Sequence, residues 1–232
     1  VPFASTFAVF ASGRAWEQVR ICVCLPSLNV KVVGSHGGIT VGEDGATHQA
    51  TEDLAIMRAL PNMAVVIPAD GVETELAVRA VYAHQGPVYM RLARNKFPLL
   101  FDESYRFELG KANRVREGSD LTVISAGYLV SKSLEAAELL GGQGVEARVI
   151  NMSTIKPLDA EQVVDAARET GAVLTVEEHS VVGGLGSAVA EVLGENFPVP
   201  MKRMGVLDRF GISGASEKLI EYHGLSVPHI VT

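Results

Sequence analysis

Hydrophobic and polar residues alternate along this chain with two periods, one typical of strands and the other typical of helices. Short runs rich in Val and Ile predict buried strands at 29–33, 64–70, 87–93, 120–127, 146–152, 172–179 and 198–206. Segments with apolar residues three or four positions apart predict helices at 14–25, 50–60, 72–84, 131–144, 159–171, 187–194 and 215–224. Strands and helices that alternate in this way indicate an α/β fold built on parallel sheets.

One stretch of the chain breaks this alternation and predicts a boundary between two domains. In FPLLFDESYRF, residues 97–107, aromatic and charged residues mix without a period, which is typical of a linker across a surface. The 232 residues, 47% of them hydrophobic, suffice to bury a core on either side of it. We therefore expect two consecutive domains, residues 1–104 and 109–232, each a mostly parallel sheet flanked by helices.

Charge and composition argue against two classes of partner. The formal net charge of −7 argues against nucleic-acid binding, because a phosphate backbone favours clustered Lys and Arg. No apolar run approaches the roughly 20 residues that a membrane helix needs. We expect neither nucleic acid nor membrane as a partner, and we expect a cytoplasmic location.

The richest candidate for chemistry is the segment GSHGGITVGEDGATHQ, residues 34–49, called here the glycine loop. It follows a predicted strand at the end where ligands bind in parallel sheets, and its glycines permit close approach or positive φ. Its polar residues are His36, Glu43, Asp44 and His48. Imidazoles transfer protons near neutral pH, and carboxylates accept hydrogen bonds from sugar hydroxyls. We interpret the segment as a ligand-binding loop; the alternative is a structural loop with a capping aspartate and surface histidines.

Two further groups of side chains have both a chemical and a structural interpretation. Phe7 and Phe10 stand three positions apart, so they either pack into the core or stack on a flat heterocycle. Arg91, Arg94 and Lys96 follow the end of a predicted strand. Guanidinium groups in that position suit a phosphate or carboxylate, and the solvated edge of a sheet would explain them equally.

A second glycine-rich stretch, GGLGS at 183–187, lies between a predicted strand and a predicted helix. Its spacing does not match a dinucleotide-binding fingerprint, because Val189 stands where the third glycine would fall, so we predict a tight turn. Just before it, adjacent side chains of a strand point to opposite faces, so we expect an interface or surface role for Glu177, Glu178 and His179. The remaining histidines near predicted helix ends are expected at the surface: His84, His223 and His229.

Several motifs together resemble one enzyme family. TFAVF, SHGGITVGEDGATHQ with the following EDLA, LPNMAVVIPADG and RLAR are similar to the transketolases. The second half, with TIKPLD, TVEEH, GGLGSAVAE and DRFGISGASEKLIEYHGL, resembles the C-terminal domain of that family, which related thiamine enzymes share. The resemblance covers essentially the whole chain.

The resemblance implies an activity and a cofactor. Transketolases transfer a two-carbon ketol unit between sugar phosphates with thiamine diphosphate and a divalent metal, Mg²⁺ or Ca²⁺. The first half would be a pyrimidine-binding domain lacking its N-terminal part, in which Phe7 and Phe10 pack around the aminopyrimidine. The diphosphate and the metal would be bound by a domain absent from this chain. Gly13 stands where the family often has a third aromatic residue, so the ring pocket would be looser here or completed by another residue.

The resemblance also implies a role for four polar residues. His36 and Arg94 would bind the phosphate end of the sugar. Asp44 would accept a hydrogen bond from a substrate hydroxyl and so favour one configuration. His48 would lie near the reacting carbons and assist proton transfer.

Two family motifs are missing from the 232 residues: the G-I-x-E-Q glutamate that activates the cofactor and the Gly-Asp-Gly motif of the diphosphate domain. We therefore expect the chain alone to be inactive. It would be part of a longer transketolase, the C-terminal subunit of a split one, or a fragment. The active site would form at a subunit interface, in a homodimer or with a diphosphate-binding N-terminal subunit.

Other functions stay open at this point. A 1-deoxyxylulose-5-phosphate synthase usually lacks the histidine at position 36, and the β-subunit of a 2-oxo-acid dehydrogenase lacks the GEDGATHQ loop. A non-catalytic assembly protein with this fold would not need His36, Asp44, His48 and Arg94 in one pocket. The position of these four side chains therefore separates the last alternative from the enzymatic ones.

Overall fold

Two five-stranded sheets organise the chain, and the computed structural model describes all residues from 1 to 232. The first sheet has the strand order β1-β2-β4-β3-β8. Its strands are β1 (Phe3–Phe7), β2 (Lys31–Ser35), β3 (Ala64–Val66), β4 (Val88–Arg91) and β8 (Thr154–Lys156). All neighbouring pairs are parallel except β3 and β8.

The second sheet has the order β10-β9-β6-β7-β5. Its strands are β5 (Asn113–Arg116), β6 (Leu121–Ser125), β7 (Ala147–Asn151), β9 (Val173–Ser180) and β10 (Met201–Val206). Only β5 runs antiparallel to its neighbour, β7. The expected α/β class, with two mostly parallel sheets flanked by helices, is confirmed.

Eight α-helices connect and cover the strands. They are α1 (Trp16–Gln18), α2 (Asp53–Arg58), α3 (Gly71–Ala83), α4 (Leu129–Gly141), α5 (Ala160–Thr170), α6 (Leu185–Asn196), α7 (Ser216–Tyr222) and α8 (Val227–Val231). Within the glycine loop, Ile39–Thr47 forms 3₁₀ turns around non-helical glycines. No helix in the structure combines the length and the apolar character that crossing a bilayer requires.

The helix predicted at 14–25 is observed in a less regular form. Wider π-helical turns at Phe10–Arg14 and Val19–Cys24 flank the single α-helical turn α1. At the start of this segment the Ser12 hydroxyl donates a 2.6 Å hydrogen bond to the carbonyl of Ala8. A side chain that binds a carbonyl four residues earlier competes with the backbone for it and bends a helix.

The two halves of the chain are not separate in space. The strand β8 comes from the second half and pairs with β3 of the first, so the first sheet contains both. One core cluster includes buried residues of both halves, among them Leu54, Met57, Ile124, Ile150 and Met152. Burial of each such side chain contributes about 1.5–3 kcal/mol. The division at 104 and 109 stays a prediction, and residues 92–112 contain neither helix nor strand.

A buried polar network adds to this shared core. Glu73 of α3 is fully buried and accepts hydrogen bonds from the amide of Ala69, from the side-chain amide of Asn151 in β7 and from the hydroxyl of Tyr105. Burial raises the pKa of the Glu73 carboxyl, and these hydrogen bonds partly oppose the shift. The network joins α3, the connecting segment and the second sheet, and so fixes their relative positions.

Candidate functional site

The glycine loop is pressed against the second half of the chain. Gly38, Gly42 and Gly45 have φ of 79°, 84° and 70°, in the left-handed region that glycine tolerates best. A Cβ on Gly42 would lie 3.3 Å from the carbonyl oxygen of Gly214, and one on Gly45 would overlap the Ser213 hydroxyl. These glycines therefore serve close packing between protein segments.

Hydrogen bonds between the two halves hold the loop in this position. The Glu178 carboxylate accepts from the amide of Thr40, and Gln49 donates to the carbonyl of Ile212 at 2.9 Å. The Ser216 hydroxyl donates to the carbonyl of Thr40 at 2.8 Å. The second half of the chain thus holds the loop along one of its sides.

Arg91, at the end of β4, lies beneath the loop and is only 3% exposed. Its Nε is 3.4 Å from the carboxylate of Asp53, which is itself buried. Its Nη2 donates to the carbonyls of Ala50 and Glu178 at 3.1 and 2.8 Å. Arg91 therefore links the loop, α2 and β9, and is not free to bind a ligand.

The opposite side of the loop carries a cluster of rings. The rings of Phe7 and His36 are stacked, with centroids 4.0 Å apart and planes inclined by 10°. Phe10 is roughly parallel to Phe7 at 6.1 Å. The His48 ring stands edge-on to both, at 5.8 Å from Phe7 and 5.5 Å from Phe10. Phe7 ends a strand and Phe10 begins a helical turn, so the two meet without sharing one helix face.

Two charged side chains complete this cluster. Arg94 lies beyond β4, with its Nη1 3.7 Å from the Asp44 carboxylate and donating to the carbonyl of Val41 at 2.6 Å. Both side chains are about two-fifths exposed, 39% for Arg94 and 38% for Asp44. They are also close enough to act on His36: burial lowers the pKa of His36, Arg94 lowers it further, Asp44 raises it and His48 lowers it.

The six residues to which the family resemblance assigns a role therefore meet at one place. They are Phe7, Phe10, His36, Asp44, His48 and Arg94. The arrangement offers two imidazoles, an anion-binding guanidinium and a carboxylate beside an aromatic wall. Such a set can bind a polyhydroxylated anion and can accept or donate protons.

The spacing of Phe7 and Phe10 decides whether a flat heterocycle fits between them. A ring between two parallel rings needs about 3.5 Å on each side. The ring centroids of Phe7 and Phe10 are 6.1 Å apart, which is less than the roughly 7 Å that two such gaps require. In addition, His36 already covers one face of Phe7. The pair therefore does not sandwich a ring, but it supplies a half-buried apolar wall against which an aminopyrimidine can pack. No three His, Cys, Asp or Glu side chains are grouped to hold a metal ion.

The amides of the second glycine-rich stretch, GGLGS, bind a side chain of the protein itself and not a ligand site. The amides of Leu185 and Gly186, at the start of α6, donate to the Glu177 carboxylate at 2.7 and 2.8 Å. This is the tight turn expected from the sequence. Glu177, Glu178 and His179 are all buried, so a surface role was wrong, whereas Glu178 and His179 do bind residues of the first half across an interface within the chain.

One other expectation was wrong. His223 is 4% exposed, and neither of its ring nitrogens has a hydrogen-bond partner. It follows α7 and is covered because the chain turns there toward α8. Burial lowers the pKa of His223, with Arg209 as a second cause. His229, in contrast, is exposed and bonded to Ser226.

Two site residues were missed at the sequence level. The hydroxyls of Ser35 and Thr47 lie 3.0 and 2.8 Å from Nδ1 of His36 and His48. The available signal was their position, since each directly precedes the histidine that it contacts.

Comparisons with known proteins agree on one family. The family model described as "Transketolase, pyrimidine binding domain" matches residues 1–98, and "Transketolase, C-terminal domain" matches residues 110–230. A putative transketolase C-terminal section from Methanocaldococcus jannaschii is 46% identical over 97% of this chain and 71% of its own length. A subunit of a 6-deoxy-6-sulfo-D-fructose transketolase from Clostridium sp. (strain MSTE9) is 48% identical over 100% and 72%.

A solved structure is similar along the whole chain. It is described as a split gene transketolase in an inactive β4 tetramer, and it is 49% identical with a TM-score of 0.94. The match covers 100% of this chain and 74% of that one.

Proposed function

The chain belongs to the transketolase family, and we propose that it supplies the sugar-binding side of a thiamine-dependent ketol-transfer site. The observation that carries the proposal is the meeting of Asp44, His36, His48 and Arg94 on the free side of the glycine loop. A non-catalytic assembly role would not require these four side chains to converge beside an aromatic wall.

Each of the four polar side chains has a role that suits its chemistry. Arg94 carries a permanent charge and binds the terminal anion of the substrate, with His36 beside it. Asp44, an exposed carboxylate held near Arg94, accepts a hydrogen bond from a sugar hydroxyl and selects its configuration. His48, next to Phe10, holds or moves a proton at a hydroxyl of the reacting carbons.

The expected cofactor has a place beside this cluster. Phe7 and Phe10 would hold the aminopyrimidine of thiamine diphosphate against their apolar wall. When bound, the cofactor supplies a nucleophilic carbon that carries the two-carbon unit. The diphosphate and its Mg²⁺ or Ca²⁺ would be bound by another domain or subunit. Half-buried rings and the packed second half of the chain exclude water from one side of this place.

The same proposal includes the partner subunits, the cellular location and the pathway of the chain. The chain assembles as a homodimer or higher oligomer, and with a diphosphate-binding transketolase N-terminal subunit. It works in the cytoplasm on sugar phosphates, as in the pentose phosphate pathway. Support comes from the similar split gene transketolase and from the site geometry, which has charged groups for a terminal anion.

Reconstitution tests the proposal. The chain, the diphosphate-binding subunit, thiamine diphosphate and Mg²⁺ are mixed, and ketol transfer from a ketose phosphate to an aldose phosphate is followed. We expect turnover only with both proteins present. His48→Asn should lower kcat at least about tenfold, whereas the exposed His229→Asn should not change it. Turnover that His48→Asn leaves intact would contradict the assignment of this site.

The anion of the substrate is tested in the same assay. Arg94→Gln should raise KM about tenfold or more for an anionic sugar, because a charge-assisted contact is lost. A neutral sugar lacking the anion should show the same low kcat/KM with the parent and the variant. Phosphorylated and sulfonated ketoses, compared side by side, show which anion the chain prefers. An unchanged KM for both anionic sugars would contradict the role of Arg94.

A further inference from the structure

The segment GISGAS, residues 211–216, lies along the glycine loop and runs in the opposite direction. As the residue number rises in the segment, it falls in the loop. The contacting pairs are Gly211 and Gln49, Ser213 and Gly45, Gly214 and Gly42, and Ser216 and Thr40. The segment therefore lines the loop from residue 40 to residue 49, although more than 160 residues separate the two in sequence.

One end of this contact is fixed at Gln49, a buried residue that directly follows His48. Its side-chain amide donates to the carbonyl of Ile39 at 3.2 Å and to the carbonyl of Ile212 at 2.9 Å. Since carbonyls only accept, the amide nitrogen faces both of them. Gln49 therefore ties the end of the loop to its beginning and to the GISGAS segment.

The other end is fixed at Ser216, whose hydroxyl donates to the carbonyl of Thr40 at 2.8 Å. The side-chain amide of Asn95 donates to the same carbonyl at 3.2 Å and to the Ser216 hydroxyl at 2.7 Å. Asn95 directly follows Arg94, which donates to the carbonyl of Val41. These bonds join the GISGAS segment, the loop and the segment that carries Arg94.

Asp44 lies between the two fixed ends. It is flanked by Gly42 and Gly45, whose positive φ values belong to a backbone that side chains do not restrain. Beside it, a cavity of about 160 Å³ lies between the loop and the segment, with Glu43 on one side and Ala215 on the other. Because this part of the loop has open space next to it, its position depends on the hydrogen bonds at the two ends.

We propose that the GISGAS segment, acting through Ser216 and Gln49, is the positioning element that decides how strictly Asp44 selects the configuration of a sugar hydroxyl. The proposal rests on the function proposed above, in which Asp44 accepts a hydrogen bond from that hydroxyl. The side chains of Ser216 and Gln49 bind backbone carbonyls, so they act through the loop and not on the sugar. A loop released at either end lets Asp44 move, and a sugar of the opposite configuration is then rejected less strongly.

Hydrogen exchange tests the positioning without any activity assay. In Ser216→Ala and in Gln49→Met, the amides of residues 39–49 should exchange about fivefold faster or more than in the parent, because a bond that holds the loop is lost. Exchange in the central strands of both sheets should not change, which shows that the variants are folded. Ser216→Thr keeps the hydroxyl and should keep the parent rate.

Two matched variants control for the loss of the same groups elsewhere. Ser119→Ala and Gln143→Met change exposed residues outside the loop and the segment, and both should leave exchange in the loop at the parent rate. Loop exchange at the parent rate in Ser216→Ala or in Gln49→Met would overturn the inference.

The reconstituted enzyme tests the effect on selectivity. D- and L-glyceraldehyde 3-phosphate, which differ only in the configuration at the hydroxyl next to the aldehyde, are compared as acceptors. Ser216→Ala and Gln49→Met should lower the ratio of the two kcat/KM values at least about threefold, and Ser216→Thr should restore it. A variant that only weakens the fold lowers both values equally.

The outcomes separate this inference from the function on which it rests. A parent that does not discriminate between the two acceptors, or a ratio that neither variant changes, would overturn the inference. A parent assembly without ketol transfer would refute the proposed function, while the exchange rates would still decide whether the GISGAS segment holds the loop.

Discussion

The glycine loop and the GGLGS turn, residues 183–187, both follow strands of a parallel sheet, but the polar groups beside them have opposite roles. In both, glycines allow close approach to protein atoms: a Cβ on Gly45 would overlap Ser213, and one on Gly184 would overlap Glu177. In the turn, the carboxylate of Glu177 accepts hydrogen bonds from the amides at the start of α6, so neither is free to bind a ligand. In the loop, Asp44 and the histidines point away from the packed side and remain available.

This difference shows which feature of a glycine-rich segment signals a ligand. Glycine content reports only that the backbone lies close to other protein atoms: those of the second half of the chain around Gly42 and Gly45, and mostly those of the same half around the GGLGS turn. The ligand signal lies in polar side chains that the fold leaves without a full set of partners. By this criterion the glycine loop is the candidate site that we propose, and the GGLGS turn is a structural connection.

The largest expected effect tests the packed side of the glycine loop. Arg91→Met removes the buried cation that joins Asp53, Ala50 and Glu178. We expect a loss of about 3–5 kcal/mol in the free energy of unfolding, because the Asp53 carboxylate stays buried without its partner. Urea denaturation of the chain measures this loss.

An exposed arginine supplies the control for that experiment. Arg79 pairs with Glu75 on the surface of α3, where both side chains are more than two-thirds exposed. Arg79→Met should cost less than about 0.5 kcal/mol. Equal losses for the two variants would show that the loop is not anchored through Arg91.

A smaller effect tests the closed turn. Glu177→Ala removes the acceptor of two buried amides, those of Leu185 and Gly186, and should cost about 1–3 kcal/mol of unfolding free energy. The matched control is Glu161→Ala in the first turn of α5, where the side chain is exposed and the expected cost is below about 0.5 kcal/mol. If Glu177→Ala unfolds at the same urea concentration as the parent, the carboxylate does not close the turn.

The strands that sequence patterns predicted and those they missed differ in their place in the sheets. Central strands such as β6, β7 and β9 are buried on both faces, so they appear as continuous hydrophobic runs. The missed strands β1, β5 and β8 all lie at the edges of sheets. These three strands have little burial or only a few residues, and their partners come from far along the chain, so the sequence carries no periodic signal for them. The fourth edge strand, β10, was predicted.

The candidate site was predictable in its residues but not in its surroundings. Residue types and the family resemblance named Asp44 and His48, because imidazoles and carboxylates imply proton chemistry wherever they stand. The buried positions of Glu178 and His179 could not be predicted, since their partners Thr40 and Ala55 are more than 120 residues away in sequence. A charged strand residue is expected at the surface until a distant segment supplies its hydrogen bonds.

The smallest expected effect tests the open side of the glycine loop. Burial first, and the Arg94 guanidinium second, hold the pKa of His36 below its ordinary value of 6.5, while Asp44 raises it and His48 lowers it. Arg94→Gln should therefore raise the pKa of His36, although burial, the larger cause, still holds it below the ordinary value. Asp44→Asn should lower it. An NMR titration of the His36 ring measures both shifts.

The lowered pKa of His36 also makes the free energy of unfolding depend on pH. Since the folded chain binds fewer protons at His36 than the unfolded chain, the contribution of His36 to stability is present above pH 6.5 and is lost as pH falls through the folded pKa. Arg94→Gln should raise the folded pKa and so narrow the pH range, between the folded pKa and 6.5, over which this contribution is lost. Lys96→Gln removes an exposed charge two residues away and is the control. Equal pKa shifts in the two variants would mean that His36 senses only the net charge of the surface, and not a guanidinium beside it in one site.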